Sequence, residues 1–324
     1  MKLTRTLTAL ALCACLPAAA HAADAAGYPS KPVRIVVGYA PGGGSDIMGR
    51  FIGQELTKLL HQQMVIENRP GAAQNLAAEF VAKAPADGYM LFMSSAALGI
   101  NISLYPKLNY HPIRDFAPIA LFAISPNLLL LHPSVPAKTL KEFIAVAQKN
   151  PGKLNYSSSG SGSTQHLSGE LLKLMGKIDV VHVPYKGSAP SMTALISGEV
   201  EFSFANIPSS LTYVESGRLR AIAITSSKRS GLLPNLPTMS EAGIPGFETS
   251  TWYGLLAPAA TPPEIVTKLN QAVNTAVKNP EVNRRLAQLG ADPVVESPQE
   301  FASYLKAEID RWAKVVKASG AKPN

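Results

Sequence analysis

The stretch that most limits what this chain can become is Tyr39 to Asp46, YAPGGGSD. Upstream, Pro32 to Val37 (PVRIVV) is a continuous apolar, β-branched run, the composition of a strand buried on both faces of a parallel sheet. Downstream, Ile47, Met48, Phe51, Ile52, Leu56, Leu59 and Leu60 recur every three or four residues. That spacing predicts a helix with one apolar stripe and Ser45 or Asp46 as its N-cap. Gly42, Gly43 and Gly44 stand between strand and helix. Glycines let backbone N–H groups come close to a ligand, and a helix N-terminus carries about half a positive charge. The stretch is suited to hold an anion, although a tight βα turn alone accounts for the glycines equally well. Two sharper motifs are excluded. Ile47 occupies the place of the third glycine in a G-x-G-x-x-G frame starting at Gly42, and no Gly-Lys-Ser/Thr follows for a P-loop.

From the start of the chain, Lys2 and Arg5 precede an apolar run from Leu7 to Ala20, and Ala20-His21-Ala22 has small residues at the cleavage positions. Residues 1–22 therefore read as a signal peptide, with the mature protein exported. Leu12-Cys13-Ala14-Cys15 offers an alternative, a lipoprotein box that would anchor the chain at Cys15. Both cysteines fall inside the leader, so the mature chain must be stabilised by its cores. No later run reaches the roughly 18 apolar residues of a membrane span. What remains is close to the upper limit for a single core, so two domains are expected. Charged residues make up 16% and hydrophobic ones 46%, which argues for a packed interior and against disorder. The basic surplus either steers acidic solutes or is a mildly basic solvated surface. Without a basic cluster interleaved with aromatics, nucleic acid is not a partner.

Met64 to Glu67 and Tyr89 to Met93 read as further strands, with a helix over Ala73 to Ala84 between them. The βαβαβ order predicts a parallel sheet whose ligands bind beyond the carboxyl ends of the strands, where YAPGGGSD and Ser94-Ser95 share a rim. A second sheet starts at Leu128 to Leu131, followed by a helix opened by the capping box Thr139 to Glu142. Strands at Leu154 to Ser157, Val180 to Val183, Val200 to Phe204 and Leu219 to Thr225 follow, and the chain returns through Trp252 to Leu256. Two late helices should start in capping boxes with proline, Thr261 to Glu264 and Ser297 to Glu300. The serine and glycine run Ser157 to Thr164 has a linker's composition, but it lies between a strand and a helix and so reads as a ligand loop. Pro184-Tyr185-Lys186-Gly187 is another strand-end loop, carrying a cation and an aromatic ring.

The chemistry is thin. Ser161 and Ser163 are not framed as G-x-S-x-G, and His61, His111, His132, His166 and His182 are scattered, without a second ligand at zinc spacing. No metal, cofactor or catalytic constellation is indicated. His166, at a helix start beside the serine loop, could hydrogen-bond a ligand, and Asp46 reads as a cap or loop brace.

The segments VRIVVGYAPGGGSDIMGR (Val33 to Arg50), ENRPGA (Glu67 to Ala72), Ala86-Asp87-Gly88-Tyr89, Asn155 to His166, Val183 to Gly187, Leu236-Pro237-Thr238 and Glu241-Ala242-Gly243 together resemble the substrate-binding proteins of tripartite tricarboxylate transporters, the Bug receptors. The likeness covers nearly all of the mature chain. It implies an α/β, two-domain periplasmic binding protein, type II-like, each domain a mainly parallel sheet flanked by helices. Domain 1 would comprise 23–126 plus 250–324 and domain 2 residues 127–249. The resemblance also implies a monomeric, non-enzymatic receptor that passes a small carboxylate to membrane permease subunits. By position, the ligand carboxylate would meet Tyr39, Gly42, Gly43, Gly44 and Asp46, with Ser94, Ser95, Ser158, Ser159, Gly160, Ser163, Thr164 and the nearby His166. Tyr185, Lys186, Gly187, Ala205 and Asn206 would face the remainder. The chain departs from the family's pattern at Tyr39, where Phe is common, and at Ala205, where Asp often stands. The second departure removes a partner for a ligand ammonium and implies a mono- or dicarboxylate without one. A ligand-dependent sensor, or a secreted α/β enzyme using Asp46 or His166, are the competing functions.

Overall fold

A computed structural model describes residues 27–323, so the leader, its cleavage site and the alternative box at Cys15 lie outside the described residues. β1 (Val33–Val37) pairs in parallel with β2 (Met64–Asn68) and β3 (Met90–Ser95), connected through α1 (Gly44–Leu60) and α2 (Asn75–Ala82). After α3 (Ala97–Leu104) comes β4 (Phe116–Leu131), a 16-residue strand that belongs to both sheets. Its first half pairs antiparallel with β9 (Ser250–Pro258), which returns to β3, and β10 (Asp292–Pro293) adds to the same half. Its second half pairs antiparallel with β7 (Phe202–Asn206) and β8 (Arg220–Ile224). In that second sheet β5 (Asn155–Ser158) pairs in parallel with β6 (Val181–Pro184) and β7. Parallel pairing thus holds for β2-β1-β3 and for β6-β5-β7, while β9, β4, β8 and β10 make both sheets mixed.

α4 (Leu140–Lys149), α5 (Thr164–Gly176), α6 (Ser188–Ser197) and α7 (Ile207–Glu215) flank the second sheet; α8 (Pro263–Lys278), α9 (Pro280–Gln288) and α10 (Pro298–Ser319) return to the first. Each sheet is covered on both faces. Val33, Ile35 and Val37 of β1 pack with Met48 and Ile52 of α1 and with Leu269 and Val273 of α8, while Val36 packs on the other side with Phe92, Trp252 and Phe301. Along β4 the side chains alternate: Leu129 and Leu131 join Phe143, Tyr156 and Phe202, whereas Leu128 and Leu130 join Leu195, Ile207 and Ile224. A run of four leucines is what a strand buried on both faces requires. The lobes also meet in an apolar cluster where Leu167 of α5 packs against Ile100, Leu104, Trp312 and Val316.

The capping boxes at Thr139/Glu142 and Ser297/Glu300 form as expected. The one expected at Thr261/Glu264 does not: α8 is capped by Pro262 without a side-chain bond, and the buried Thr261 hydroxyl has no partner. The adjacent prolines set the helix start one residue later, which leaves Thr261 outside cap range. α1 also begins earlier than expected, with Gly43 as its N-cap in place of Ser45 or Asp46.

Candidate functional site

β1, β3, β5 and β7 end at one cleft between the lobes. Its inner chamber is lined by Tyr39, Gly43, Gly44, Ser45, Ser95 and Thr251 from one lobe, and by Ser159, Thr164, Gln165, Ser188 and Asn206 from the other. Four helix N-termini open onto it: α1, capped by Gly43; α5, capped by the Ser163 hydroxyl, which accepts from the His166 N–H; α6, capped by Gly187; and α7, whose N-cap is Asn206. None of the lining side chains bears a formal charge. An outer chamber shares Tyr39 and Ser159 with the inner one and adds Gly71, Ala72, Ala73 and Tyr105 from the first lobe, facing Gly160, Ser161, Pro184, Tyr185 and Lys186. The single ammonium of the two chambers, on Lys186, therefore lies outside the first contact shell of the inner one. Donors of this kind, unencumbered N–H groups at helix ends together with hydroxyls, suit a carboxylate.

Several of the residues expected at the ligand instead hold the loops. Asp46 is 3% exposed and accepts hydrogen bonds from the Gly42 N–H (2.9 Å), Arg50 Nε (3.0 Å) and Asn68 Nδ2 (2.9 Å). Burial opposes its ionisation, but the hydrogen bonds and charge of Arg50, with the bonds from Gly42 and Asn68, outweigh it and hold the carboxyl below its ordinary range. Asp46 braces the glycine loop, as the sequence reading allowed, and Gly42 serves it rather than the cleft.

His166 is 2% exposed, and its Nδ1 accepts from the Gly162 N–H at 3.2 Å. Its ring stacks on His182, with centroids 4.1 Å apart, and His182 Nε2 in turn hydrogen-bonds the Ser158 hydroxyl at 2.6 Å. Burial drives the His166 imidazole down to about 4 and His182 down to about 2, so both rings are neutral at ordinary pH. His166 and Ser158 thus fix the serine loop from beneath and line neither chamber. Ser94, fully buried, also lies behind the surface.

Ala205 is displaced from its expected place. It packs with Leu128, Leu130, Met192 and Leu195 on the far side of β7, because a strand points alternate residues to opposite faces and the chain enters the cleft only at its last residue, Asn206. The inference against a ligand ammonium drawn from Ala205 therefore falls. Gly187 lies where the lobes touch: its φ is 143°, and an added Cβ would stand 2.9 Å from the Ala40 nitrogen.

Reading the sequence missed Gln165, Ser188 and Thr251 of the inner chamber, and Gly71 to Ala73 with Tyr105 of the outer one. Gln165 and Ser188 are each one residue beyond a stretch that was recognised. Thr251 and Tyr105 come from return segments with no loop signature.

Among the described residues three hydrogen bonds cross between the lobes: Ala40 N–H to the Lys186 carbonyl (3.1 Å), Tyr105 O–H to the Ser161 carbonyl (2.8 Å) and, next to the crossing at Thr249, Arg311 Nη2 to the Glu248 carbonyl (3.1 Å). The cleft is closed over its inner chamber.

Comparison with known proteins agrees with this geometry. The model of the tripartite tricarboxylate transporter family receptor matches residues 48–321. Protein BugT of Bordetella pertussis is 36% identical over 324 residues, covering 99% of each chain. Among solved structures, an R. palustris protein with adipate superposes with a TM-score of 0.90 at 40% identity, over 92% of this chain and all of that one. MatC from Rhodopseudomonas palustris with bound malate gives a TM-score of 0.85 at 38% identity, over 89% of this chain and 100% of that one.

Proposed function

The chain belongs to the tripartite tricarboxylate transporter receptor family, and from that premise we propose that it is a periplasmic receptor which closes on a small carboxylate and delivers it to membrane permease subunits. The observation that carries the ligand class is the inner chamber itself, where four helix N-termini and a set of hydroxyls converge without a formal cation. A carboxylate there exchanges its hydration for several charge-assisted hydrogen bonds, each stronger than a neutral pair. The carboxylates named with relatives, adipate and malate, fit the same chemistry. The outer chamber, with Tyr185 and Lys186, suits the far end of a dicarboxylate.

In this reading residues 1–22 export the chain, 23–126 with 250–324 form one domain, and 127–249 form the other. The hinge in this reading lies where the chain crosses between domains, near Ile124 to Asn127 in β4 and again near Thr249 to Trp252. Among the described residues no helix is long and apolar enough to cross a membrane; in this reading the receptor works as a monomer beside its permease. A hydrolytic role for His166 or Asp46 has no support, since both side chains are engaged in holding loops.

Isothermal calorimetry on the mature protein, with succinate, malate and adipate against neutral diols of equal length, tests the ligand class. Saturable heat with the acids and none with the diols is expected. Native mass spectra of the freshly purified protein should also show a retained small acid. Equal binding of acids and diols would remove the carboxylate reading.

A further inference from the structure

Ser95, at the end of β3, faces the inner chamber and is 4% exposed. Behind it stands Gln74, fully buried, whose amide makes two bonds to this one residue: Nε2 donates to the Ser95 carbonyl at 3.2 Å, and Oε1 accepts from the Ser95 hydroxyl at 3.1 Å. A carbonyl oxygen can only accept, so the amide nitrogen must face it, and the orientation of the amide is fixed by that contact. Oε1 is then left toward the Ser95 hydroxyl, and the hydroxyl's single proton is committed to it. Gln74 has no freedom to turn away. Its Cβ lies where a side chain on Gly38 would stand, 2.3 Å from the Cβ that residue lacks, and the peptide just before it is held by Asn101 Nδ2, which donates to the Ala73 carbonyl at 2.9 Å.

Ser95 therefore offers the chamber lone pairs and no proton. The Tyr39 phenol, which also lines the chamber and interacts with the Ser95 side chain, can supply one donor but cannot make Ser95 donate. Opposite stand groups that do donate: the N–H groups of α1 beyond Gly43, and the amide of Asn206, whose Oδ1 is occupied by the Ser209 hydroxyl at 2.7 Å. The chamber is divided, with donors for a carboxylate on one side and an acceptor at Ser95. A plain carboxylic acid fills the first and brings only an oxygen or a methylene to the second, where a ligand O–H or N–H would gain a buried hydrogen bond.

We propose that Gln74, as a positioning residue, fixes Ser95 as a hydrogen-bond acceptor, so that the receptor selects carboxylates bearing an O–H or N–H donor beside the carboxylate over those without one. The proposal rests on the carboxylate-receptor reading and adds the ligand's second functional group to it. Either a hydroxyl or an ammonium would satisfy Ser95.

The test is a calorimetric panel of malate, aspartate and succinate on the wild-type mature protein, Gln74→Met and Ser95→Ala, with thermal unfolding of each variant as a check on folding. Wild type should bind malate, aspartate or both about tenfold more tightly than succinate, the size expected of one buried hydrogen bond gained. Malate ahead of aspartate identifies the donor as a hydroxyl, and the reverse identifies an ammonium. Gln74→Met frees the Ser95 proton to turn toward the ligand, so the preference should shrink to within about threefold, chiefly through tighter succinate binding. A purely structural role for Gln74 would weaken all three acids alike. Ser95→Ala keeps the chamber but removes the acceptor, and should level the panel even if Gln74→Met fails to fold. Wild-type preference of less than about threefold, or a preference unchanged in Ser95→Ala, overturns the proposal while leaving the receptor reading intact. Absence of binding by every acid overturns both.

Discussion

Ala72, Ala73 and Gln74 hold φ of 46°, 46° and 70°, three successive left-handed residues without a glycine among them. Each such residue costs about 1–2 kcal/mol relative to a relaxed backbone, and the turn persists because Gln74 and Asn101 tie it to its surroundings. Ala72 is exposed, so replacing it removes strain without removing burial. Ala72→Gly should raise the unfolding free energy by about 1 kcal/mol in urea titrations, and a loss of stability would show that the turn is unstrained. The other residue-scale prediction concerns His166. Its folded value of about 4 lies below the ordinary 6.5, first because of burial, with Lys173 adding to the shift and Glu170 opposing it. The unfolded chain takes up a proton near 6.5 while the folded chain takes none until near 4. Stability is thus fully present above 6.5 and is lost as pH falls toward 4, by on the order of 3 kcal/mol for this ring. His182, shifted in the same direction, steepens the loss. His166→Gln should flatten the curve between pH 7 and 4.5, and an unaltered slope would assign the pH dependence elsewhere. At this scale the sequence was legible where a residue's type limits it to few roles, as with Asp46. It was not legible at Ala205 or His166, where the direction of the side chain, set by strand phase and loop closure, decides the role.

At the scale of elements, periodicity located the strands and helices wherever one face differs from the other. α3 escaped because ALGINISL is buried nearly all round and shows no polar stripe to reveal a 3.6-residue period. β4 was seen only at its leucines. Pro118 and Pro126 interrupt the rest of it, and the strand accommodates the first with a register shift between Pro118 and Ala120 and places the second at the crossing between sheets. The glycine loop, by contrast, was legible because its geometry is demanding. A Cβ on Gly44 would stand 2.4 Å from Asn206 Oδ1 across the cleft and 2.6 Å from the Tyr253 hydroxyl. Gly44→Ala should therefore keep the lobes apart and weaken carboxylate binding by about tenfold or more. The Tyr253 contact is within one lobe and is separable: that hydroxyl is buried without a partner, so Tyr253→Phe alone should cost little stability. In the double variant only the clash across the cleft remains. If calorimetry finds wild-type affinity there, Asn206 does not close onto the N-terminus of α1.

The whole molecule turns on one question, how the lobes pay off the loss of water between them when they shut. Among the described residues three hydrogen bonds and an apolar cluster span the divide, and they differ in what they report. The Tyr105 hydroxyl reaches the Ser161 carbonyl from the first lobe to the second at 2.8 Å, at the rim of the outer chamber. Neither group is needed by its own lobe's core. Tyr105→Phe should thus leave unfolding of the ligand-free protein unchanged within about 0.5 kcal/mol while weakening ligand binding about fivefold, the worth of one lost closure bond. The apolar contact gives a spectroscopic handle, because Trp312, fully buried, packs with Leu167 of the opposite lobe and is one of two tryptophans. With Trp252 replaced by phenylalanine, ligand addition should shift Trp312 emission to shorter wavelength as Leu167 closes over it, alongside a smaller radius of gyration in scattering. The two readouts separate the alternatives. Compaction with a silent Trp312 means that the cluster is part of the hinge and stays closed throughout. An unchanged radius at saturating ligand removes the closing motion altogether, and with it the reason for Tyr105→Phe to affect affinity rather than stability.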